Sequence, residues 1–331
     1  MITFSIIVPV YNRPDEVKEL LQSMTEQTDK DFEVIIVEDG SNVTCESVCG
    51  GYKDWLDINY YYKENSGPGH SRNFGCKQAK GNYYIFLDSD CILPPHYVEI
   101  VKNELRNNQV DAFGGPDKAH PNFTYLQKAI SYSMTSLFTT GGIRGKNEKL
   151  DKFYPRSFNM GFSDAVFQVT EGFSTMRFGE DIDMSIRILK NGFRTKLFQE
   201  TFVYHQRRST LKQFFKQVLN SGIARINLYK KHPDSLKLVH WLPAIFIVGL
   251  MSLIVLSIVI SPYFLLFIAL HILLLWVDST VRNKNGIVGF LSIITSYIQL
   301  SGYGLGFMIA IWHLIILKKK EFSAFRTTFY Q

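Results

Sequence analysis

Two aspartates, Asp88 and Asp90, close an apolar run in the stretch YYIFLDSDCILPPHY. In an extended segment, carboxylates two residues apart project to one side. Both could address one cation, or one a cation and the other a ribose hydroxyl. Hard oxygen donors in an open site suit Mg2+ or Mn2+ bridged to a diphosphate; a capping role in a turn before Pro94 is the structural alternative. Asp39, in EDGS, ends another apolar run. It could accept the imide N–H of a uracil or a ribose hydroxyl, or form a turn before Gly40. Arg72, in NSGPGHSRNFG, follows a glycine turn and is suited to clamp a diphosphate. That stretch misplaces the third glycine of G-x-G-x-x-G, which speaks against a dinucleotide-dependent hydride-transfer enzyme. Further on, FGEDIDMSIRI crowds Glu180, Asp181 and Asp183 at the start of a helix. Complementing the helix dipole accounts for one or two acids. A third, directly after a glycine, points to a catalytic base that takes a proton from an attacking hydroxyl. His205, after strand-like FVY, is a candidate metal or phosphate ligand, with a structural role as the alternative.

These residues need a scaffold. Residues 4–10, 32–37, 58–62, 83–87 and 110–113 read as strands. After the first, Val17, Leu20, Leu21 and Met24 recur at helical spacing, with Pro14 placed at a helix start. A glycine turn and short helix occupy 67–81. A helix from Glu180 to about Lys190 is predicted to bury Ile182, Ile186 and Leu189. Strands alternating with helices, apolar on both faces, predict an α/β fold with a mostly parallel sheet covered on both sides. In such sheets ligands bind beyond the carboxyl ends of the strands. That rule brings Tyr11, Asp39, Asp88 and Asp90 together. Residues 139–157, polar and glycine-bearing, are predicted to form a mobile loop.

The 331 residues suffice for one large domain or two smaller ones. A net charge of +6 without a continuous basic tract implies no nucleic-acid partner; an anionic membrane surface fits better. Cysteines at 45, 49, 76 and 91 lack the second pair of a zinc site and are expected to be reduced thiols. The N-terminus has no signal-peptide pattern, which keeps the N-terminal domain in the cytoplasm. Residues 206–231 place Leu211, Phe214, Phe215, Val218 and Leu219 among many basic residues. This is a basic amphipathic helix that either lies on a membrane surface or packs as an ordinary surface helix. Apolar stretches at 242–260, 263–277 and 286–317 predict two to three membrane spans. The expected division is thus a domain over 1–205, an interface region over 206–237 and a transmembrane region over 238–331. Lys318, Lys319 and Lys320 look cytoplasmic by the positive-inside rule, and so do Arg282 and Lys284. Both cannot be if the third stretch crosses once. Either the charge pattern misleads, or part of 286–317 lies flat or re-enters.

In order along about residues 1–230, IIVPVYNRPDEV (6–17), VIIVEDGS (34–41), GPGHSRNFG (67–75), GNYYIFLDSDC (81–91), FNMGFSDAVF (158–167), EGF (171–173), GEDIDMSIRILKNGF (179–193) and VYHQRRS (203–209) resemble the family 2 glycosyltransferases with the GT-A fold. The resemblance implies inverting transfer from a nucleotide-sugar, a UDP- or GDP-sugar, with Mn2+ or Mg2+. It implies that Pro9, Tyr11 and Asp39 cradle base and ribose, and that Arg72 sits by the diphosphate. Asp88 and Asp90 would be the DxD pair, with Asp90 the more direct metal ligand and His205 assisting. Asp181 would be the base, with Glu180 orienting the acceptor. Glu38 departs from a usual aspartate, and the Q-x-x-R-W signature of processive synthases lacks its Trp after Gln206-Arg207-Arg208-Ser209. The expected protein is a bacterial inner-membrane transferase with its catalytic domain on the cytoplasmic face. It would act on a glycan or polyprenyl-linked acceptor in surface polysaccharide assembly. The alternatives are transfer directly to polyprenyl phosphate, as by dolichyl-phosphate mannose synthases, and a non-catalytic membrane scaffold.

Overall fold

A computed structural model of the chain describes residues 2–118, 120, 122–140, 153–205 and 208–322. The expected loop at 139–157 falls largely outside these, as do Gln206 and Arg207. Described residues of 1–120 and 148–205 form one compact unit, and those of 121–147 and 206–321 a second. The division differs from the expected one in two respects. Residues 122–140 group with the C-terminal helices, and 208–237 is not a unit of its own.

The first unit runs β1 (Phe4–Val10), α1 (Pro14–Thr25), β2 (Phe32–Asp39), α2 (Glu46–Gly50), β3 (Asp57–Lys63), α3 (Pro68–Gln78), β4 (Tyr83–Leu87), β5 (Cys91–Ile92), α4 (Tyr97–Asn107), β6 (Ala112–Gly114) and β7 (Asp117–Lys118). The chain then passes through α5 (Tyr125–Thr135) and α6 (Leu137–Thr140) of the second unit. It returns as β8 (Asn159–Ser163), α7 (Asp164–Thr170), α8 (Glu180–Lys190), β9 (Thr195–Leu197) and β10 (Val203–His205). The main sheet has the order β3-β2-β1-β4-β8-β6-β9. Strands β1 to β4 are parallel, and β8 is antiparallel to both β4 and β6. This is a mostly parallel sheet, as predicted.

The unbroken apolar runs of β1, β2 and β4 follow from burial on both faces. Ile6, Val8, Val10, Val34, Ile36, Ile85 and Leu87 meet Val17, Leu20, Leu21 and Met24 of α1 and Val98 and Val101 of α4. The alternate residues Ile7, Ile35, Val37, Tyr84 and Phe86 form a second core with Cys76, Met184 and Ile188. A Cβ on Gly75 would lie 2.4 Å from Ile7 Cγ2, so α3 reaches β1 only with glycine there. On α8 the buried apolar residues are Met184, Ile186 and Ile188. The predicted Ile182 and Leu189 are only half-buried, because the acidic first turn is itself turned inward, with Glu180, Asp181 and Asp183 all buried. The four cysteines are buried free thiols.

The second unit adds α9 (Leu211–Lys231), α10 (Leu242–Val259), α11 (Leu265–Asn283) and α12 (Gly286–Ala310), which continues as a π-helical turn over Ile311–Ile316. Among the described residues, three segments are long and apolar enough to cross a membrane: Leu238–Val259, Pro262–Asn283 and Gly286–Ile316. Of the apolar residues of α9, Phe215 stays exposed. Phe214 and Val218 are buried against Ile130 and Met134 of α5, with Ile298 of α12 packed alongside.

Candidate functional site

The site forms at the carboxyl ends of the parallel strands, where each backbone leaves the ladder and frees side chains for other partners. Asp39, the last residue of β2, is 1% exposed. It accepts from the main-chain N–H of Ser66 and of Gly67, both at 2.9 Å, and pairs with Lys63 at the end of β3. These bonds fix the turn that launches α3. Gly40 next to it has φ +75°, and a Cβ there would lie 2.7 Å from Asn65 N. Asp39 therefore shapes the loop ahead of Arg72. Glu38 is fully buried and binds Ser41, the Cys45 N–H (2.8 Å) and the Tyr60 hydroxyl (3.3 Å). Ser41 Oγ in turn accepts from Asn12 N at 2.8 Å. The loop that carries Tyr11 is tied in this way to the end of β2. Tyr11 and Pro9 are both partly exposed there.

Asp88 and Asp90 are not in an extended segment. Cys91 N donates to Asp88 O at 3.1 Å, closing a turn. Their carboxylates share a side because of the partner they face. In the second, three-stranded sheet, β10 pairs antiparallel with β5 so that His205 lies opposite Cys91. His205 Nε2 is then 3.0 Å from Asp90 Oδ1 and 3.9 Å from Asp88 Oδ2, with its ring stacked on Phe158 at 5.1 Å. Asp90, Cys91 and His205 bring their ligand atoms within 4.8 Å of one another. Burial holds the Cys91 thiol well above its usual pKa, so it stays protonated. What remains of that group is the Asp90 carboxylate and the His205 imidazole, with the Asp88 carboxylate 3.9 Å from the same ring, donors that suit a divalent cation. Glu16 of α1 stands close by, its pKa raised first by burial and then by the Asp90 charge.

Arg72 is 3% exposed and joins the two acidic groups. One guanidinium nitrogen donates to Asp88 Oδ1 at 2.8 Å, the other to Glu180 Oε1 at 3.0 Å. It thereby holds two carboxylates in place. Burial, reinforced by the neighbouring Asp181 charge and opposed by Arg72, pushes Glu180 up to about 7. Asp181 moves the other way. Burial alone would raise it, but the Arg156 guanidinium, 2.6 Å away, and the Ile182 N–H bring it below the usual carboxylate value. Asp183 is ion-paired to Arg187 at 2.9 Å and is structural.

Arg156, Glu16 and Lys63 are the functional candidates that reading the sequence missed. Arg156 precedes β8, and β8 runs against β4, so its N-terminal end lies where the parallel strands finish. Leu87 sits opposite Asn159. The polar strand NMGFS offers no apolar run that would have marked it.

Among known proteins, the sequence matches Glycosyl transferase family 2 over residues 5–170. It is 39% identical over 114 residues to an uncharacterised glycosyltransferase of Rickettsia typhi, covering 34% of this chain and 35% of that one. It is 37% identical over 155 residues to the poly(ribitol-phosphate) beta-N-acetylglucosaminyltransferase TarS of Staphylococcus aureus, covering 41% of this chain and 27% of TarS. The aligned part is thus about a third or less of the length of these two relatives. Among solved structures, the mannosyltransferase PcManGT of Pyrobaculum calidifontis, in complex with GDP-Man and Mn2+, superposes with a TM-score of 0.64 at 15% identity, over 94% of this chain and 87% of that one. TarS residues 1–349 with UDP superpose at 0.50 and 19% identity, over 90% and 91%. Both likenesses concern the fold.

Proposed function

Because the chain belongs to glycosyl transferase family 2 and is a glycosyltransferase of the GT-A fold, we propose that it transfers a sugar, with inversion, from a UDP- or GDP-sugar to a glycan or lipid-linked acceptor. The reaction would take place at the cytoplasmic face of the inner membrane, in surface polysaccharide assembly. The observation that carries this reading is the junction at Arg72, which pairs both with Asp88, beside His205 and Asp90, and with buried Glu180, the neighbour of Asp181. A relative named for acting on poly(ribitol-phosphate) supports a polymeric acceptor. Fold neighbours holding UDP or GDP-Man support a nucleotide-sugar donor.

Asp88, Asp90 and His205 would hold the cation, Mn2+ or Mg2+, and the neighbour with Mn2+ supports that choice. When bound, such an ion neutralises charge developing on the departing diphosphate. Pro9 and Tyr11 border the space for base and ribose, and Asp39 holds the loop behind it. Asp181 takes the proton of the acceptor hydroxyl while that oxygen bonds to the anomeric carbon. The bond from that carbon to the diphosphate oxygen breaks, and the nucleoside diphosphate leaves with the electron pair. Glu180 orients the acceptor. A second assignment, Glu180 as the base, is favoured by its pKa near 7, which matches the working pH of a general base.

A donor that binds the folded state raises its melting temperature. Full-length protein in detergent is therefore expected to melt higher with UDP-GlcNAc or GDP-Man plus Mn2+ than with Mn2+ alone. Absence of any shift across a panel of nucleotide-sugars would overturn the reading. Loss of even an outer partner of a bound metal costs about 10- to 100-fold in affinity. His205→Ala is accordingly expected to weaken binding of Mn2+ alone by at least about tenfold in calorimetric titration. An unchanged affinity removes His205 from the ligand set.

A further inference from the structure

The second unit contains an answer to the two basic clusters that cannot both be cytoplasmic if the third apolar stretch crosses the bilayer. Helices α10 and α11 form a hairpin whose tip is Ile260 to Phe264, and that tip and its flanks are open. Ile258, Tyr263 and Leu266 are 80, 76 and 62% exposed. At about 1.5 Å per residue, Gly286–Ile316 is about 46 Å long. A crossing helix of that length would run beside the hairpin toward its tip. Helix α12 instead begins and ends at the hairpin's open end, and its middle reaches deeper, where Tyr297 packs on Phe246 of α10 and His271 of α11. A Cβ on Gly289 would lie 2.0 Å from Thr280 Oγ1 and 3.0 Å from Trp276 O, near the end of α11. Ser279 and Ser292 share a hydrogen bond of 2.7 Å. About 22 Å further along α12, a Cβ on Gly304 would lie 2.5 Å from Pro243 O, in the first turn of α10. Phe307 packs on Trp241 at 5.0 Å, just before that helix begins. Thr280 and Pro243 stand at the same end of the hairpin, so α12 bridges across that end.

The opposite flank of α12 is covered by water-compatible helices. Cβ atoms on Gly302 and Gly306 would meet Val218 Cγ2 at 2.5 Å and Leu219 O at 2.1 Å, and one on Gly222 would meet Tyr303 O at 2.2 Å. Helices α9 and α12 thus run side by side with glycine at each close approach. Thr295 Oγ1 donates to Ala129 O of α5 at 3.0 Å. Helix α9 carries Lys212, Lys216, Arg225, Lys230 and Lys231. A lysine or arginine at a bilayer centre costs about 2.5–3.5 kcal/mol each on insertion scales, so α9 stays at the surface and α12 stays beside it. What α12 leaves open is one apolar stripe: Ile287, Phe290, Ile294, Leu305, Ile309 and Trp312.

We infer that α10 and α11 cross the membrane and α12 does not: it lies in the near leaflet with its stripe against lipid acyl chains. Arg282 and Lys284 then face the same side as Lys318, Lys319 and Lys320. This rests on the membrane reading above. The test is side-specific labelling of the full chain in cells with a membrane-impermeant maleimide. It uses Ser261→Cys at the hairpin tip, Asn285→Cys before α12 and Lys319→Cys after it. The expected result is that the Asn285→Cys and Lys319→Cys variants label together from one side, and the Ser261→Cys variant from the other. If Lys319→Cys labels with Ser261→Cys, opposite Asn285→Cys, α12 crosses and the inference is overturned while membrane anchoring stands. If all three label from one side, the membrane reading falls and the inference with it.

Discussion

Asp181→Asn is expected to lower kcat by about 10²–10⁴-fold, the range for loss of a positioned general base, while donor affinity in the presence of Mn2+ stays near wild type. The amide keeps the Ile182 N–H contact but can neither accept the acceptor's proton nor pair as a charge with Arg156. Glu180→Gln is expected to cost far less and to change the pH profile. Glu180 is raised to about 7. In the wild type it gains a proton as pH falls through that value and stops presenting a charged carboxylate to Arg72 and the acceptor, so activity declines on the acid side. Asp181 titrates below its ordinary value and remains ionised there. The acid limb near pH 7 should therefore vanish in Glu180→Gln. The reverse ranking, with Glu180→Gln inactive at every pH and Asp181→Asn active, would move the base to Glu180.

The second large effect concerns stability. Arg72→Met removes the donor shared by Asp88 and Glu180. Asp88 is 34% exposed at its side chain and can turn to water, but Glu180 is 9% exposed and cannot. Breaking a buried pair by deleting one partner costs about 3–5 kcal/mol. The pH dependence identifies the cause. A carboxyl whose pKa is raised on folding opposes folding increasingly as pH rises above its unfolded value, until the folded pKa is passed. The wild type reaches that plateau near pH 7. Without Arg72, which lowers Glu180, the folded pKa lies higher, so an extra deficit opens above pH 7. Thermal melts of the full chain should show a larger wild-type-to-variant gap at pH 8.5 than at pH 6. Adding Glu180→Gln should narrow it. A gap independent of pH would mean that Arg72 acts through packing alone. Arg72→Lys should recover only part, because an ammonium cannot present the guanidinium fork to both carboxylates.

Much of the scaffold was legible because burial on both faces writes strands as unbroken apolar runs. Phe4–Val10, Phe32–Asp39 and Tyr83–Leu87 are such strands, and their polar ends mark Asp39, Asp88 and Asp90. The short strands Asn159–Ser163, Thr195–Leu197 and Val203–His205 carry too few apolar residues for that signal, and with them Arg156 went unseen. The α8 face was misjudged for a related reason. Periodicity assigns acids to water, whereas Glu180 and Asp181 are buried because Arg72 and Arg156 pair with them. Gly302, Gly304 and Gly306 are the positions where α9 and α10 approach α12 too closely for a side chain.

The sequence by itself determined the first four strands in order, the acidic residues at strand and helix ends, and the apolar character of the C-terminal third. Local hydrophobicity and turn chemistry are properties of neighbouring residues, so they can be read along the chain. Only the tertiary structure decided which charges are partners. The register of β10 on β5 sets His205 beside Asp90. The antiparallel course of β8 sets Arg156 on Asp181. The position of α3 places Arg72 between Asp88 and Glu180, residues 108 apart in the case of Arg72 and Glu180. Such pairings depend on long-range packing, and with them come the opposite pKa shifts of two adjacent carboxylates that no local pattern encodes.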